Sequence, residues 1–283
     1  MKTNKRKLLT LTALFYLIII LGGCSYASGS HSYGETVSEE PESQSDSPKA
    51  SSYGDLLDVK MDPDIPSQLK DYCSFRVSFN KENHTPNWSA WTLTAADLQE
   101  NVGRYNKFWT DDDIIGCANT KDYTHSGYDR GHLCPAADNK LNAERMKSCF
   151  TMANICPQDG QLNSHAWKTL ETKERKWAKN IGDLVIVAGP LYTSADKQRI
   201  GETGVRVPSA FFKVIIAPYR NEPMGIGFIY PNMYSPGDMY IYAMTIDEVE
   251  KQTGYDFFYN LPDDIEDNIE AQQHKQWRKH DQR

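Results

Sequence analysis

The sequence lacks any excess of basic residues, with 31 Lys and Arg against 38 Asp and Glu and a net charge of −7. Proteins that coat nucleic acid without sequence preference need a basic surface, so this charge argues against that class. It does not exclude an enzyme that combines a metal cation with a few local arginines. The sequence also has no CxxC pair and no matching histidine spacing, which makes a zinc site the less favoured use of its cysteines.

The N-terminus has no apolar run long enough to span a bilayer. The uncharged run at residues 8–21 has 14 residues, short of the roughly 20 that a spanning helix needs. It follows a basic start (residues 1–7), as in a signal peptide. The run ends in LGGC (residues 21–24), which resembles a bacterial lipobox. That resemblance implies cleavage before Cys24, a lipid anchor on Cys24 and a location in the bacterial cell envelope, either periplasmic or at the cell surface. A secreted chain with an incidental cysteine stays open as the alternative.

Composition divides the rest of the chain. We expect a signal peptide at residues 1–23, a disordered tether rich in Ser, Glu and Pro at 24–52, and one domain at 53–283, since no repeat or second linker is found. Disulfides are expected in an oxidising compartment, and the odd number of remaining cysteines leaves at least one thiol free or paired outside the chain. These cysteines are Cys73, Cys117, Cys134, Cys149 and Cys156.

Hydrophobic patterning predicts six strands and up to three helices. The strands are predicted at Ser74–Phe79, Ala90–Thr94, Phe150–Ile155, Asp183–Ala188, Ala210–Ala217 and Met224–Ile229. Helices are predicted at residues 161–182, at Thr245–Lys251 with a stop at Gly254, and in the C-terminal tail. Because strands predominate without regular alternation with helices, the predicted class is α+β with a largely antiparallel sheet.

The segment DRGH at residues 129–132 carries the first chemical signal. On a strand, Arg130 and His132 share a face, and two such groups together suit an anion such as phosphate. His132 is a candidate general base, because an unperturbed imidazole titrates near neutral pH. Arg130 is a candidate phosphate ligand through its fork of N–H donors.

The predicted helix at residues 161–182 carries the second signal. Asn163, Trp167, Glu171 and Arg175 are spaced four residues apart, so their side chains follow one flank. Asn163 offers a hard oxygen for Mg²⁺, Arg175 can hold phosphate, and Glu171 can orient metal-bound water or Arg175. Trp167 is interpreted as a packing residue. Taken singly, Asn163 could be a helix cap and Glu171 with Arg175 a surface pair.

These segments, taken in order, resemble the DNA/RNA non-specific endonucleases, the ββα-metal family of the Serratia nuclease and endonuclease G type. The resemblance extends from about residue 72 to residue 262 and rests on DRGH, NICPQ (154–158), LN (162–163) and the residues around Glu171 and Arg175. It implies a His-Me finger fold and sugar-non-specific cleavage of DNA and RNA, with His132 as general base. It also implies a single Mg²⁺, which Mn²⁺ can replace, with Asn163 as its direct ligand. Supporting roles are implied for Arg130, Asn154, Glu171 and Arg175.

The chain departs from that pattern at one point. Serratia-type members carry an arginine shortly before a strand, where this chain has Thr85-Pro86-Asn87-Trp88. This departure leaves open how the phosphate is held from that side, and a lower activity or a shifted substrate preference would be its consequence. Two other functions stay open, namely a catalytically inactive nucleic-acid-binding lipoprotein and a phosphoesterase acting on a small substrate. The sequence also leaves a homodimer open.

Overall fold

A seven-stranded antiparallel sheet organises the computed structural model, which describes residues 55–281. Its strands follow the order β12-β11-β10-β7-β4-β3-β2, and three two-stranded sheets pair β1 with β13, β5 with β6, and β8 with β9. The strands are β1 (Val59–Lys60), β2 (Gln68–Asp71), β3 (Arg76–Asn80), β4 (Thr85–Leu93), β5 (Asp129–His132), β6 (Ile155–Gln158), β7 (Leu184–Leu191), β8 (Arg199–Ile200), β9 (Val205–Arg206), β10 (Ala210–Ala217), β11 (Met224–Pro231), β12 (Ala243–Met244) and β13 (Asp256–Phe257).

Five α-helices and several shorter helical turns accompany the sheets in this part of the chain. The α-helices are α1 (Ala143–Ser148), α2 (Lys168–Asn180), α3 (Ile246–Thr253), α4 (Asp263–Glu270) and α5 (Lys275–Arg278). A π-helical turn, Leu162–Trp167, leads directly into α2. Turns of 3₁₀ helix lie at Thr120–Tyr123, Ala136–Asn139, Met152–Asn154 and Met239–Ile241. The predicted α+β class with an antiparallel sheet is confirmed.

The N-terminal predictions concern residues outside the described range. The signal peptide, the anchor at Cys24 and the tether at 24–52 all lie there. Between Asp55 and Asp281, no helix has the length and apolarity needed to cross a bilayer.

The strongest apolar patterns placed their strands correctly. Strand β10 has the predicted bounds, and β7 and β11 contain most of the residues predicted for them. The strand predicted at Phe150–Ile155 is wrong in its position. Thr151 instead caps a 3₁₀ turn by accepting a hydrogen bond from the Ala153 amide, and β6 begins only at Ile155, where pairing with β5 begins. Strand β4 begins at Thr85, earlier than its predicted start.

The sheet buries a different cluster on each face, as the two-residue period of its strands requires. On one face, Phe211 and Ile215 of β10 pack with Trp167, Leu170 and Trp177 beneath α2. On the other face, the alternate residues of β10 pack against apolar side chains of α3 and α4. These residues are Phe212, Val214, Ile216, Ile246, Val249 and Ile269. Helix α2 and the elements that bring it to the sheet therefore occupy the face opposite α3 and α4.

The expected disulfides are absent from the described part of the chain, where all five cysteines are free. Cys134, Cys149 and Cys156 are buried in the core, where a thiol packs as a small apolar group. Burial raises the pKa of the Cys149 thiol to about 12, so it is not a reactive thiolate. Cys73 is exposed and Cys117 is half-buried.

Candidate active site

A β-hairpin followed by a helix builds the candidate site. Strands β5 and β6 pair antiparallel, with His132 opposite Ile155 and Gly131 opposite Cys156. A Cβ atom at Gly131 would overlap the Gln158 side chain of β6, which explains the glycine between Arg130 and His132. Asp159, directly after β6, accepts hydrogen bonds from the amides of Gln161 and Leu162 and so starts the π-helical turn.

This arrangement forms a cleft between the end of β5 and the start of the helix. The cleft contains four of the six predicted site residues, together with two further cations. Its polar and charged lining comprises Arg104, His132, Asn163, Ser164, Lys168, Glu171 and Arg175. A larger surface cleft, lined by segments within residues 119–126 and 198–203, contains none of the predicted site residues. The predicted chemistry is therefore concentrated in the smaller cleft.

His132 is held as a neutral imidazole. Its ring packs against Phe108 and Phe150, at centroid distances of 5.3 and 4.8 Å, and its buried Nε2 atom has no hydrogen-bond partner within the described residues. Burial of the ring and the nearby Arg104 guanidinium lower the pKa of His132 to about 3. A neutral imidazole keeps one nitrogen lone pair that can accept a proton.

Asn163 has a fixed side-chain orientation. Its Nδ2 atom donates a hydrogen bond of 2.8 Å to Oδ2 of Asp129, in β5. The amide oxygen is thereby directed away from Asp129 and remains available as a neutral hard-oxygen ligand. The helix start is capped by Asp159, so Asn163 is not the capping residue. Asp129 is thus a residue of the DRGH segment that had no assigned role from sequence.

Glu171 and Arg175 follow Asn163 along the helix and face the same cleft. Arg175 donates to Oδ1 of the buried Asp138 at 3.0 Å, and Trp91 donates to Oδ2 of the same carboxylate at 3.2 Å. Burial raises the pKa of Glu171 to about 7, although the charges of Lys213 and Arg175 oppose that shift. Arg175 is therefore fixed in orientation by a residue that the sequence pattern did not identify.

A second ion pair lies beneath the helix, at full burial. Lys213 of β10 and Glu174 of α2 are both 0% exposed, with Lys213 Nζ lying 3.0 Å from Oε1 and donating to Oε2 at 3.2 Å. The ammonium also lies 4.4 Å from the Trp167 ring centroid. Trp167 itself is buried against Phe211 and Tyr230 and lies outside the cleft lining. The π-helical turn thus places Trp167 in the core and Asn163 in the cleft.

Two predicted site residues lie outside the cleft. Arg130 donates to the Thr120 carbonyl oxygen at 2.7 Å and lies over the rings of Phe108 and Tyr123. Phe108 contacts both Arg130 and His132, as expected for two residues on one strand face.

Asn154 is fully buried and uses both ends of its amide. Its Oδ1 atom accepts from the Cys134 amide and from Ser89 Oγ, and its Nδ2 atom donates to the carbonyls of Cys134 and Cys149. Its main-chain oxygen accepts from the Leu133 amide, next to His132. This geometry fixes the chain that follows the histidine and leaves no free atom for substrate.

The cleft contains an arginine that comes from a different part of the sequence than expected. Arg104, from the connection between β4 and β5, lines the cleft and lies 5.1 Å from the Phe150 ring centroid. Phe150 is the ring that also packs against His132. Segment 85–88 has no arginine, as the sequence showed, but Arg104 brings a guanidinium to the cleft from a later part of the chain.

Comparison with known proteins gives the same family that the sequence motifs resemble. A family model described as "DNA/RNA non-specific endonuclease" matches residues 52–264. "Nuclease 1, mitochondrial" of Schizosaccharomyces pombe is 34% identical over 205 residues, covering 65% of this chain and 64% of that protein. "Nuclease EXOG, mitochondrial" of Homo sapiens is 30% identical over 214 residues, covering 69% of this chain and 58% of that protein. The chain thus spans about three fifths of the length of these relatives.

A solved structure supports the fold directly. A chain from the crystal structure of the EndoG/EndoGI complex superposes with a TM-score of 0.65 at 26% identity, covering 70% of this chain and 89% of that chain. The family model covers most of the chain, including both strands of the hairpin and the helix that follows. The chain therefore belongs to the DNA/RNA non-specific endonuclease family.

Proposed function

We propose that this protein is a Mg²⁺-dependent endonuclease that hydrolyses phosphodiester bonds of DNA and RNA with little base preference. The observation that carries the proposal is a neutral His132 in one cleft with the cations of Arg104, Lys168 and Arg175. A polyanionic backbone requires local positive charge, and hydrolysis requires a base that can accept a proton from water. The relatives described above are named as nucleases, which supports the same activity.

His132 would accept a proton from the attacking water. The oxygen of that water then bonds to phosphorus, and the bond between phosphorus and the leaving sugar oxygen breaks. In the free protein the pKa of His132, about 3, lies well below the neutral range expected of an isolated imidazole. A bound phosphodiester brings negative charge into the cleft, which raises that pKa toward the range of efficient proton transfer. Neutrality before substrate binding keeps the base ready at any pH near neutrality.

The residues of the cleft fit a single hydrated Mg²⁺. Asn163 would hold the ion through its amide oxygen, with Glu171 positioned to orient bound water. When bound, Mg²⁺ supplies Lewis-acid stabilisation of the phosphate and the leaving oxygen. Mn²⁺, which accepts the same oxygen ligands, would substitute.

The arginines divide into two roles in this proposal. Arg104 and Arg175 face the cleft and would hydrogen-bond phosphate oxygens, Arg175 in the orientation that Asp138 fixes. Arg130 and Asn154 act as positioning residues, since their polar groups bind the backbone of neighbouring segments. Arg130 lies two residues before His132 in β5, and the main-chain oxygen of Asn154 accepts from the amide of Leu133, the residue after His132.

Incubation of the purified protein with plasmid DNA and with RNA, in Mg²⁺ or in EDTA, tests the proposed function. Metal-dependent cutting of both polymers is the expected result. Tight binding without cutting would instead identify an inactive nucleic-acid-binding protein. Hydrolysis of small phosphate esters alone would identify a different phosphoesterase.

Replacing Asn163 with alanine should raise the Mg²⁺ concentration needed for half-maximal cleavage by at least about tenfold, since even the loss of residues that support a ligand lowers metal affinity about 10–100-fold. The measurement is a Mg²⁺ titration of plasmid nicking. Thr169→Ala, at an exposed residue that bonds only the His165 carbonyl, is the control on the same helical segment. An unchanged titration for Asn163→Ala would remove Asn163 as the ligand.

We also propose that the full chain is anchored to a bacterial envelope membrane through lipid on Cys24, on the evidence of the LGGC segment that ends the apolar run. Cys24→Ala should move most of the nuclease activity from the membrane fraction to the soluble fraction of cells. Comparing intact cells with lysate then distinguishes a cell-surface from a periplasmic enzyme. Equal membrane association of both variants would contradict the anchor.

A further inference from the structure

A group of acidic side chains lies on the sheet face opposite the cleft. Asp247 and Glu250 belong to α3, and Glu270 is the last residue of α4. One carboxylate oxygen from each of the three lies within 4.8 Å of the others. Both helices pack against the same apolar cluster through Ile246, Val249 and Ile269. The three acids therefore meet where two helices are held on one face of the sheet.

Glu270 shows that this group is more than an exposed acidic surface. Its side chain is 7% exposed, and its Oε1 atom is buried with no hydrogen-bond partner among residues 55–281. Glu250 is fixed beside it, because its Oε1 atom accepts a hydrogen bond of 2.7 Å from the Phe257 amide. A buried carboxylate oxygen without a partner is costly, so such an atom points to a ligand that is able to satisfy it.

The surrounding charges make a cation the matching ligand. The carboxylates of Asp247, Glu250, Asp256 and Glu266 lie close enough to Glu270 to repel its negative charge. Lys60 forms an ion pair of 2.8 Å with Asp256, one of these neighbouring acids. Among residues 55–281, no ammonium or guanidinium group forms an ion pair with Asp247, Glu250 or Glu270.

We propose that Asp247, Glu250 and Glu270 bind one hard divalent cation, of the size of Ca²⁺, that links α3 to α4. Ca²⁺ takes oxygen ligands at about 2.3–2.6 Å, so ligands on opposite sides of the ion lie about 4.6–5.2 Å apart. Three oxygens within 4.8 Å of one another can all reach one such ion. The all-oxygen donor set, without His or Cys, excludes the ligands that zinc prefers.

The proposed ion would stabilise the C-terminal part of the fold independently of catalysis. Helix α4 packs on β11 through Ile269, close to Gly225, where a Cβ atom would overlap the Ile269 side chain. Binding at the α3–α4 junction holds that helix on the sheet. Because the cleft lies on the other face, the ion would stabilise folding without entering the reaction.

Thermal unfolding of the purified full chain, after EDTA treatment, with and without CaCl₂ tests the proposal. Calcium at about a hundredfold excess over its Kd should raise Tm by about 5–10 °C, the shift that one site on a domain of this size produces. The same rise is expected for Asn163→Ala, which removes the ligand proposed in the cleft. Glu270→Gln should abolish the rise, while Asp264→Asn, an exposed acid on α4 outside the group, should retain it.

The outcomes separate ion binding from a purely structural role. If Glu270 served folding alone, Glu270→Gln would lower Tm in EDTA but keep the calcium-dependent increment, and that result overturns the proposal. An absent calcium effect on the wild-type chain overturns it as well. Should Glu270→Gln fail to fold, Asp247→Asn replaces it, because Asp247 is exposed and tolerates an amide. Loss of the increment in Asp247→Asn supports the site.

Discussion

Replacing His132 with alanine should reduce phosphodiester cleavage by about 10²–10⁴-fold, the usual contribution of general base catalysis. The loss should fall on kcat for both DNA and RNA, because the base acts on the attacking water and not on the sugar or base of the substrate. The fold should persist, since the backbone pairing of His132 with Ile155 does not depend on the imidazole. The substitution removes the ring contacts with Phe108 and Phe150, which lie on the cleft side of the fold's core.

Steady-state cleavage of plasmid and of RNA at saturating Mg²⁺ gives the rates, and circular dichroism with a thermal melt checks folding. His165→Ala supplies the matched control, because this exposed histidine lies in the same helical turn as Asn163 but outside the cleft lining. It should cleave at the wild-type rate. A His132→Ala variant that cleaves near the wild-type rate with intact structure would show that another group takes the proton.

Local sequence patterns predicted those parts of the fold that depend on local physics. Strand β10 is apolar at every position except Lys213 and is rich in β-branched and aromatic residues, and its predicted bounds are those of the structure. The Phe150–Ile155 prediction failed because an apolar run records burial but not backbone conformation. There, Asn154 is buried through hydrogen bonds to Ser89, Cys134 and Cys149, which are contacts from outside the run.

The candidate site divides in the same way. The spacing of Asn163, Glu171 and Arg175 on one helix predicted their common cleft, because helical geometry fixes it. The residues that hold or complete that cleft come from distant segments. Asp138 binds Arg175 although the two residues are 37 positions apart in the sequence. Arg104 belongs to an irregular connection, where the sequence has no periodic pattern. Contacts of this kind depend on tertiary packing, so they cannot be predicted from a short stretch of sequence.

Among these long-range contacts, the Lys213–Glu174 ion pair is expected to have the largest effect on stability. The period-2 alternation of β10 places Lys213 on the same face as Phe211 and Ile215, beneath α2, where an apolar residue would be usual. Both side chains are completely buried and 39 positions apart in sequence. Each charge is tolerated there only because the other is present.

Lys213→Met should therefore destabilise the protein by about 3–5 kcal/mol, the usual cost of leaving one member of a buried pair uncompensated. Methionine can occupy the space between the Trp91 and Trp167 rings that the lysine now fills, so the loss reflects the stranded Glu174 carboxylate more than a cavity. Urea denaturation in EDTA, followed by tryptophan fluorescence, measures the free energy of unfolding without a contribution from bound metal. Lys60→Met, which breaks an exposed pair with Asp256, should lower that free energy far less.

The double variant Lys213→Met/Glu174→Met identifies the cause of this loss. If the stranded charge is responsible, removing Glu174 as well should recover most of the stability, because apolar replacement of both members of a buried pair is often neutral or favourable. If Lys213 acts through packing on the tryptophans, the double variant should be at least as unstable as Lys213→Met. A Lys213→Met variant with wild-type stability would contradict this account, because it would show that removing the lysine leaves no costly unpaired charge at Glu174.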